Sequence, residues 1–110
     1  MALFITYASY SQAGIQGLLS KPEDRTGAIQ KLLDSVGGKV VAIYNTTGAN
    51  DIVLVSEAPD GSDAVALAMA VSASGAISKA ETVRAWTSDD FESVIKKAAG
   101  LTGAYAPPGS

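Results

Sequence analysis

Residues 39–57, KVVAIYNTTGANDIVLVSE, hold two runs of β-branched and apolar residues joined by the short polar link TTGAN, and no other segment restricts the fold as much. The link is of hairpin length, so the two runs are expected to pair antiparallel. Within each run the apolar residues are consecutive rather than alternating. A strand sends successive side chains to opposite faces, so both faces of this hairpin are apolar and neither is built to meet water. Helices can cover one face. A second copy of the same sheet is the simplest cover for the other.

The flanking sequence supplies the remaining elements. LFITYASY reads as a first strand, and SQAGIQGLLS, with Ile15, Leu18 and Leu19 at helical spacing, as a short helical turn. Ser20 with Glu23 three residues on, Pro22 and the acidic Glu23 and Asp24 predict a capped helix start. Its stripe is Ile29, Leu32, Leu33 and Val36, and Gly37 with Gly38 is expected to end it in the left-handed conformation. After APDGSD, a helix is expected from Ala64 to Ala73, closed by Gly75. One of its faces carries Ala64, Leu67, Ala68 and Val71, the other Val65, Met69 and Ser72; either alanine serves here only as a helix former or the second face is a subunit contact. AISKAETVRAW is the fourth strand. TSDDFESVIKKA is a last helix capped by Thr87 or Ser88, with Phe91, Val94, Ile95 and Ala98 as its stripe.

This order predicts an α+β fold, a ferredoxin-like βαββαβ plait with an extra C-terminal helix and a four-stranded antiparallel sheet covered by helices on one face. One domain would occupy residues 1–98. Residues 99–110 form a tail of turn and polyproline composition, either mobile or laid on a neighbour.

Composition removes several chemistries. The 110 residues include no cysteine and no histidine, so disulfides, thiolate nucleophiles, the commonest general base and the usual zinc and haem ligands are all missing. Net charge is −3 and the eight basic residues are scattered, which argues against nucleic acid as a partner. The acidic pairs Glu23/Asp24, Asp60/Asp63 and Asp89/Asp90 fall at helix starts, where capping explains them without a metal. Neither VGGKV nor the spacing of Gly14 and Gly17 makes a phosphate loop. No cofactor is expected. The N-terminus lacks the basic and long apolar regions of a secretory signal, and the longest apolar run, AVALAMAV, is too short to span a bilayer, so the expected partner is not a membrane and the expected location is cytoplasmic.

The candidate pocket-lining residues are the polar and aromatic side chains within or beside strands: Tyr7, Tyr44, Asp51, Arg84 and Trp86. Alternation puts Thr82, Arg84 and Trp86 on one face, a cationic and aromatic wall if that face is open. The structural alternative pairs Arg84 with a carboxylate at a subunit interface and makes Trp86 an edge-of-core residue. In the turn, Gly48 is expected to take a positive φ, Asn50 to tolerate the left-handed region, and Asp51 to accept from the turn's own amides, in preference to a catalytic role.

The segments LFITY, LLDSVGGKVVAIY, GANDIVLVSEAPD and GAISKAETVRAWTSDDFESV resemble in order the GYD-domain proteins of the dimeric α/β-barrel superfamily, a likeness running from about Leu3 to Ile95. Gly48 and Asp51 fall on the family's Gly and Asp, and Asn50 stands where the family has Tyr. The resemblance implies a dimeric α/β-barrel type assembly and no defined activity, in a superfamily that includes cofactor-free monooxygenases, haem enzymes and isomerases. Three functional expectations follow. The leading one is a homodimer or higher symmetric homo-oligomer that binds a small molecule between its sheets. The alternative is a cofactor-independent monooxygenase or isomerase acting on a small aromatic or quinone-like substrate. The remaining one, a PII-like ligand-sensing regulator, is disfavoured by the shortness of TTGAN.

Overall fold

The structure, a computed structural model, describes residues 1–110. In chain order it comprises β1 (Ala2–Tyr10), α1 (Gln12–Ser20), α2 (Thr26–Asp34), β2 (Lys39–Asn45), β3 (Ile52–Ala58), α3 (Gly61–Ala73), β4 (Ile77–Ala85), α4 (Ser88–Ala99) and a 3₁₀ turn at Thr102–Ala104. The four strands form one antiparallel sheet in the order β2-β3-β1-β4. This is an α+β fold whose order is consistent with a ferredoxin-like plait. No helix is long and apolar enough to cross a membrane.

Register assigns the faces. Phe4 lies between Ser56 and Arg84, Thr6 between Leu54 and Thr82, and Ala8 between Ile52 and Ala80, all on one face. Ile5, between Val55 and Val83, and Tyr7, between Val53 and Glu81, lie on the other. A register shift in β2 between Val40 and Ala42 leaves Val41 as an extra residue at the edge. α2 packs on β2 and α3 chiefly on β4, so the helices rest over the two edge strands of the first face. Between them the central strands β3 and β1 are only partly roofed.

The packed core is small. Phe4, Ala58 and Ala64 form its buried cluster, and Leu33, 2% exposed, anchors α2. The expected stripe of α2 holds, but its start does not. Ser20 is the last residue of α1 and donates to the Gln16 carbonyl, whereas α2 begins at Thr26 after Asp24 accepts from the Thr26 amide at 2.9 Å and the Thr26 hydroxyl at 2.7 Å. A local Asx turn beat the capping box. α3 begins three residues before the expected Ala64, because Asp60 and Asp63 complete a reciprocal capping box ahead of it. Gly37, Gly48 and Gly75 have positive φ; Gly38 does not, and its need is space, since a Cβ there would lie 2.5 Å from the Glu57 carbonyl oxygen.

α4 is capped by Thr87, whose hydroxyl accepts from the Asp90 amide, and its Phe91 and Ile95 are exposed. With the tail it projects from the sheet. The molecule measures 60 × 33 × 22 Å with a radius of gyration of 17.6 Å, against about 13 Å for a compact domain of this length.

Candidate functional site

Between the sheet and its helices lies a cavity of about 580 Å³, within the range of small-molecule sites. Small residues create it. Where strand and helix faces meet, the chain places Ala8, Ser56 and Ala58 on the sheet and Ala64, Ala68 and Gly17 on the helices. The larger Leu54, Leu32, Leu67 and Val71 supply apolar wall. On the floor the hydroxyls of Thr6 and Thr82 bond each other across β1 and β4 at 2.9 Å. Ser56, 6% exposed, is the chain's buried polar residue and also lines the floor. The helices roof the central strands only partly, so the space opens to solvent and is wetted or filled.

α1 closes one end. Ser11 caps it by accepting from the Gly14 amide at 3.1 Å, while its own amide donates to the Ala76 carbonyl at 2.9 Å. Gly14 is required there, since a Cβ would sit 2.2 Å from that same carbonyl oxygen. Leu18 turns to the cavity, whereas Ile15 and Leu19 stay exposed.

Charged groups join the lining only where the α1–α2 link passes the cavity. Lys21, Glu23 and Arg25 lie there beside Tyr10. The Arg25 guanidinium and the Glu23 carboxylate are 2.6 Å apart, and Lys21 has no ion-pair partner. Among the lining residues two cations face one anion, Arg25 is paired with Glu23, and the Asp51 carboxylate lies beside Tyr10, so Lys21 is the cation at the mouth left without an ion-pair partner. Burial pushes the Tyr10 phenol above its ordinary pKa; the Arg25 charge opposes that shift and the Asp51 carboxylate adds to it. Tyr10 is thus a proton donor at neutral pH.

The five side chains singled out in the sequence do not form one site. Tyr7 and Tyr44 flank Val53 on the face without helices, and Tyr44 is 61% exposed. Asp51 sits at the hairpin end of β1. There its carboxylate accepts from the Tyr10 amide at 2.9 Å and its own amide donates to the Ala8 carbonyl at 2.8 Å. It therefore ties the hairpin to β1 rather than serving the turn's own amides. Gly48 has φ +95°, as its place in the turn predicts, but Asn50 is not left-handed; its Oδ1 is buried without a partner. The link itself is pinned by the Thr46 amide on the Asp51 carbonyl and by Ser9 Oγ on the Ala49 carbonyl.

Arg84 and Trp86 lie at the opposite end of β1, about 20 Å away at 3.3 Å per residue. Arg84 pairs in register with Phe4, a helix-side position, but with Trp86 it also lines a second cavity of about 270 Å³ beside Leu3 and Val55 of the face without helices. It makes no ion pair within the chain. Its guanidinium donates to the carbonyls of Leu3, at 3.1 Å, and Ala85, and stacks 4.2 Å from the Trp86 ring centre. Trp86 meets Phe91 of α4 edge-on, with ring centres 5.7 Å apart. Lys21, Arg25 and Ser56 are not among the residues to which the sequence points. The available signal was the repeated placement of alanine, serine and glycine on one strand and helix face.

Comparison with known proteins adds the family. A family model described as the GYD domain matches residues 4–95. No curated protein matches the chain. Among solved structures, the crystal structure of TTHA0845 from Thermus thermophilus is similar at 16% identity and a TM-score of 0.50, covering 80% of this chain and 96% of that one. At that identity the likeness is one of fold alone.

Proposed function

The chain belongs to the GYD-domain family, and on that premise we propose that it works as a homodimer or larger symmetric homo-oligomer, joined through the sheet face that its own helices leave bare. Family and fold carry no particular chemistry, so the reading rests on one observation. Leu3, Ile5, Val53, Val55 and Val83 form an apolar strip on that face, and α2 and α3 both lie on the other side. Apolar surface of this extent in water is the mark of an interaction site.

Size supports including the C-terminal arm in the contact. Four strands about 4.8 Å apart and seven residues long at about 3.3 Å each present on the order of 400 Å², roughly half of what one partner contributes to a standard interface. α4 and the tail bring further apolar surface in Phe91, Ile95, Leu101 and Tyr105, all exposed. Laid on a neighbour, that arm makes up the difference. A small molecule held between the sheets would meet the row of Tyr44, Val53, Tyr7 and Glu81, which register places side by side.

Ile5, between Val55 and Val83, gives the test. The melting temperature of the wild-type chain is expected to rise with chain concentration, as it does when folding and assembly are linked. Ile5→Glu should melt lower and without that dependence. A wild-type melt that stays constant over roughly a hundredfold range of concentration would contradict the reading.

A further inference from the structure

The cavity beneath the helices lies on the other side of the sheet from the bare face, and its properties define a ligand independently of assembly. It holds about 580 Å³, enough for a molecule of ordinary ligand size. Its walls are aliphatic, and its floor offers only the Ser56 hydroxyl and the mutually bonded Thr6 and Thr82. Charge appears only at the mouth, where Lys21 and Arg25 outnumber Glu23 and Tyr10 adds a phenol. From this division we propose that the cavity binds a hydrophobic monocarboxylate, with its hydrocarbon body against Leu54, Leu67 and Val71 and its carboxylate at Lys21, Arg25 and Tyr10.

The charges decide the orientation and the class. A carboxylate sent inward would reach a lone serine hydroxyl and no cation, a poor exchange for its water. At the mouth it meets the unpaired Lys21 ammonium and the free donors of Arg25, and charge-assisted bonds of that kind are the strong ones. Lys21 is the one cation there without an ion-pair partner, so a single carboxylate satisfies it; a dianionic phosphate head would leave an excess of negative charge beside Glu23 and Asp51. A wholly apolar ligand would cover the Lys21 charge and give it nothing in return.

Calorimetry on the full chain with dodecanoate and dodecanol, each kept below its aggregation threshold, tests this. Dodecanoate should saturate at one per chain and bind at least about tenfold more tightly than dodecanol, the difference expected of a charge-assisted contact. Lys21→Gln combined with Arg25→Gln should erase that preference and leave dodecanol binding unchanged. Ala68→Phe, which fills the cavity from α3, should abolish binding of both probes while the unliganded chain melts no lower than wild type; Ala68→Leu provides the same comparison if the larger residue prevents folding. The proposal is overturned if dodecanoate shows no saturable binding, if the alcohol binds as tightly as the acid, or if cavity-filling variants that fold bind like wild type.

Discussion

The Asp51 carboxylate accepts the Tyr10 amide at 2.9 Å, fixing the end of β1 against the entry to β3. Asparagine keeps an acceptor at that place and alanine does not. Asp51→Ala should therefore cost about 1 to 3 kcal/mol, the loss of a bond to a charged group that strands a part-buried amide, and Asp51→Asn distinctly less. Thermal melts of the two variants check this, and an Ala variant as stable as wild type would remove the structural role. Gly48, at φ +95° in open space, should tolerate Ala better than Val, because a β-branched residue resists positive φ most strongly. Gly14 is the opposite case: its φ is ordinary, but an added methyl strikes the Ala76 carbonyl. The turn glycine was legible in the sequence, since its neighbours announce a hairpin. The steric glycine was not, because its constraint comes from a residue 62 positions away.

Capping at element ends was legible where the helix start and its acid lie within one turn. Asp60 holds the start of α3 through the amides of Ser62 and Asp63, and the bonds from Ser62, to hydroxyl and amide, hold its pKa below the ordinary aspartate value. A carboxylate depressed in the folded state stabilises fully above its unfolded pKa, and that contribution fades as pH falls through the lower folded value. The stabilisation by this cap should accordingly persist to about pH 4 and disappear only below it. In Asp60→Asn that acid-dependent component should be missing from the pH profile of the melting temperature; an unchanged profile would contradict the assignment. α2 shows the limit of such reading, since Ser20 and Glu23 have capping-box spacing and Asp24 took the role. α4 has an apolar stripe whose Phe91 meets Trp86 edge-on and whose Ile95 is exposed, and an isolated helix of 12 residues is marginal in water. Phe91→Ala with Ile95→Ala should leave β-sheet content intact and shift the association equilibrium toward single chains, as sedimentation velocity would report.

At the scale of the molecule, two features depend on sums that no local pattern contains. The bare face was foreseen because KVVAI and DIVLV are apolar on both sides, a property of contiguous residues. The cavity was not, because its 580 Å³ are the accumulated shortfall of small side chains from all three helices over the sheet. The expected pocket residues are large polar and aromatic groups, of which Arg84 and Trp86 line a cavity of about 270 Å³, whereas the space of 580 Å³ lies where side chains are small. Both features, with an arm that lengthens the molecule to 60 Å, describe a chain whose apolar surface is incomplete when alone. Sedimentation equilibrium at micromolar concentration tests that claim most directly. The account predicts a mass that is an integral multiple, two or greater, of the 11.1 kDa chain, falling toward the single-chain value in Ile5→Glu. A wild-type mass of 11.1 kDa in a folded, soluble sample across that range would contradict it.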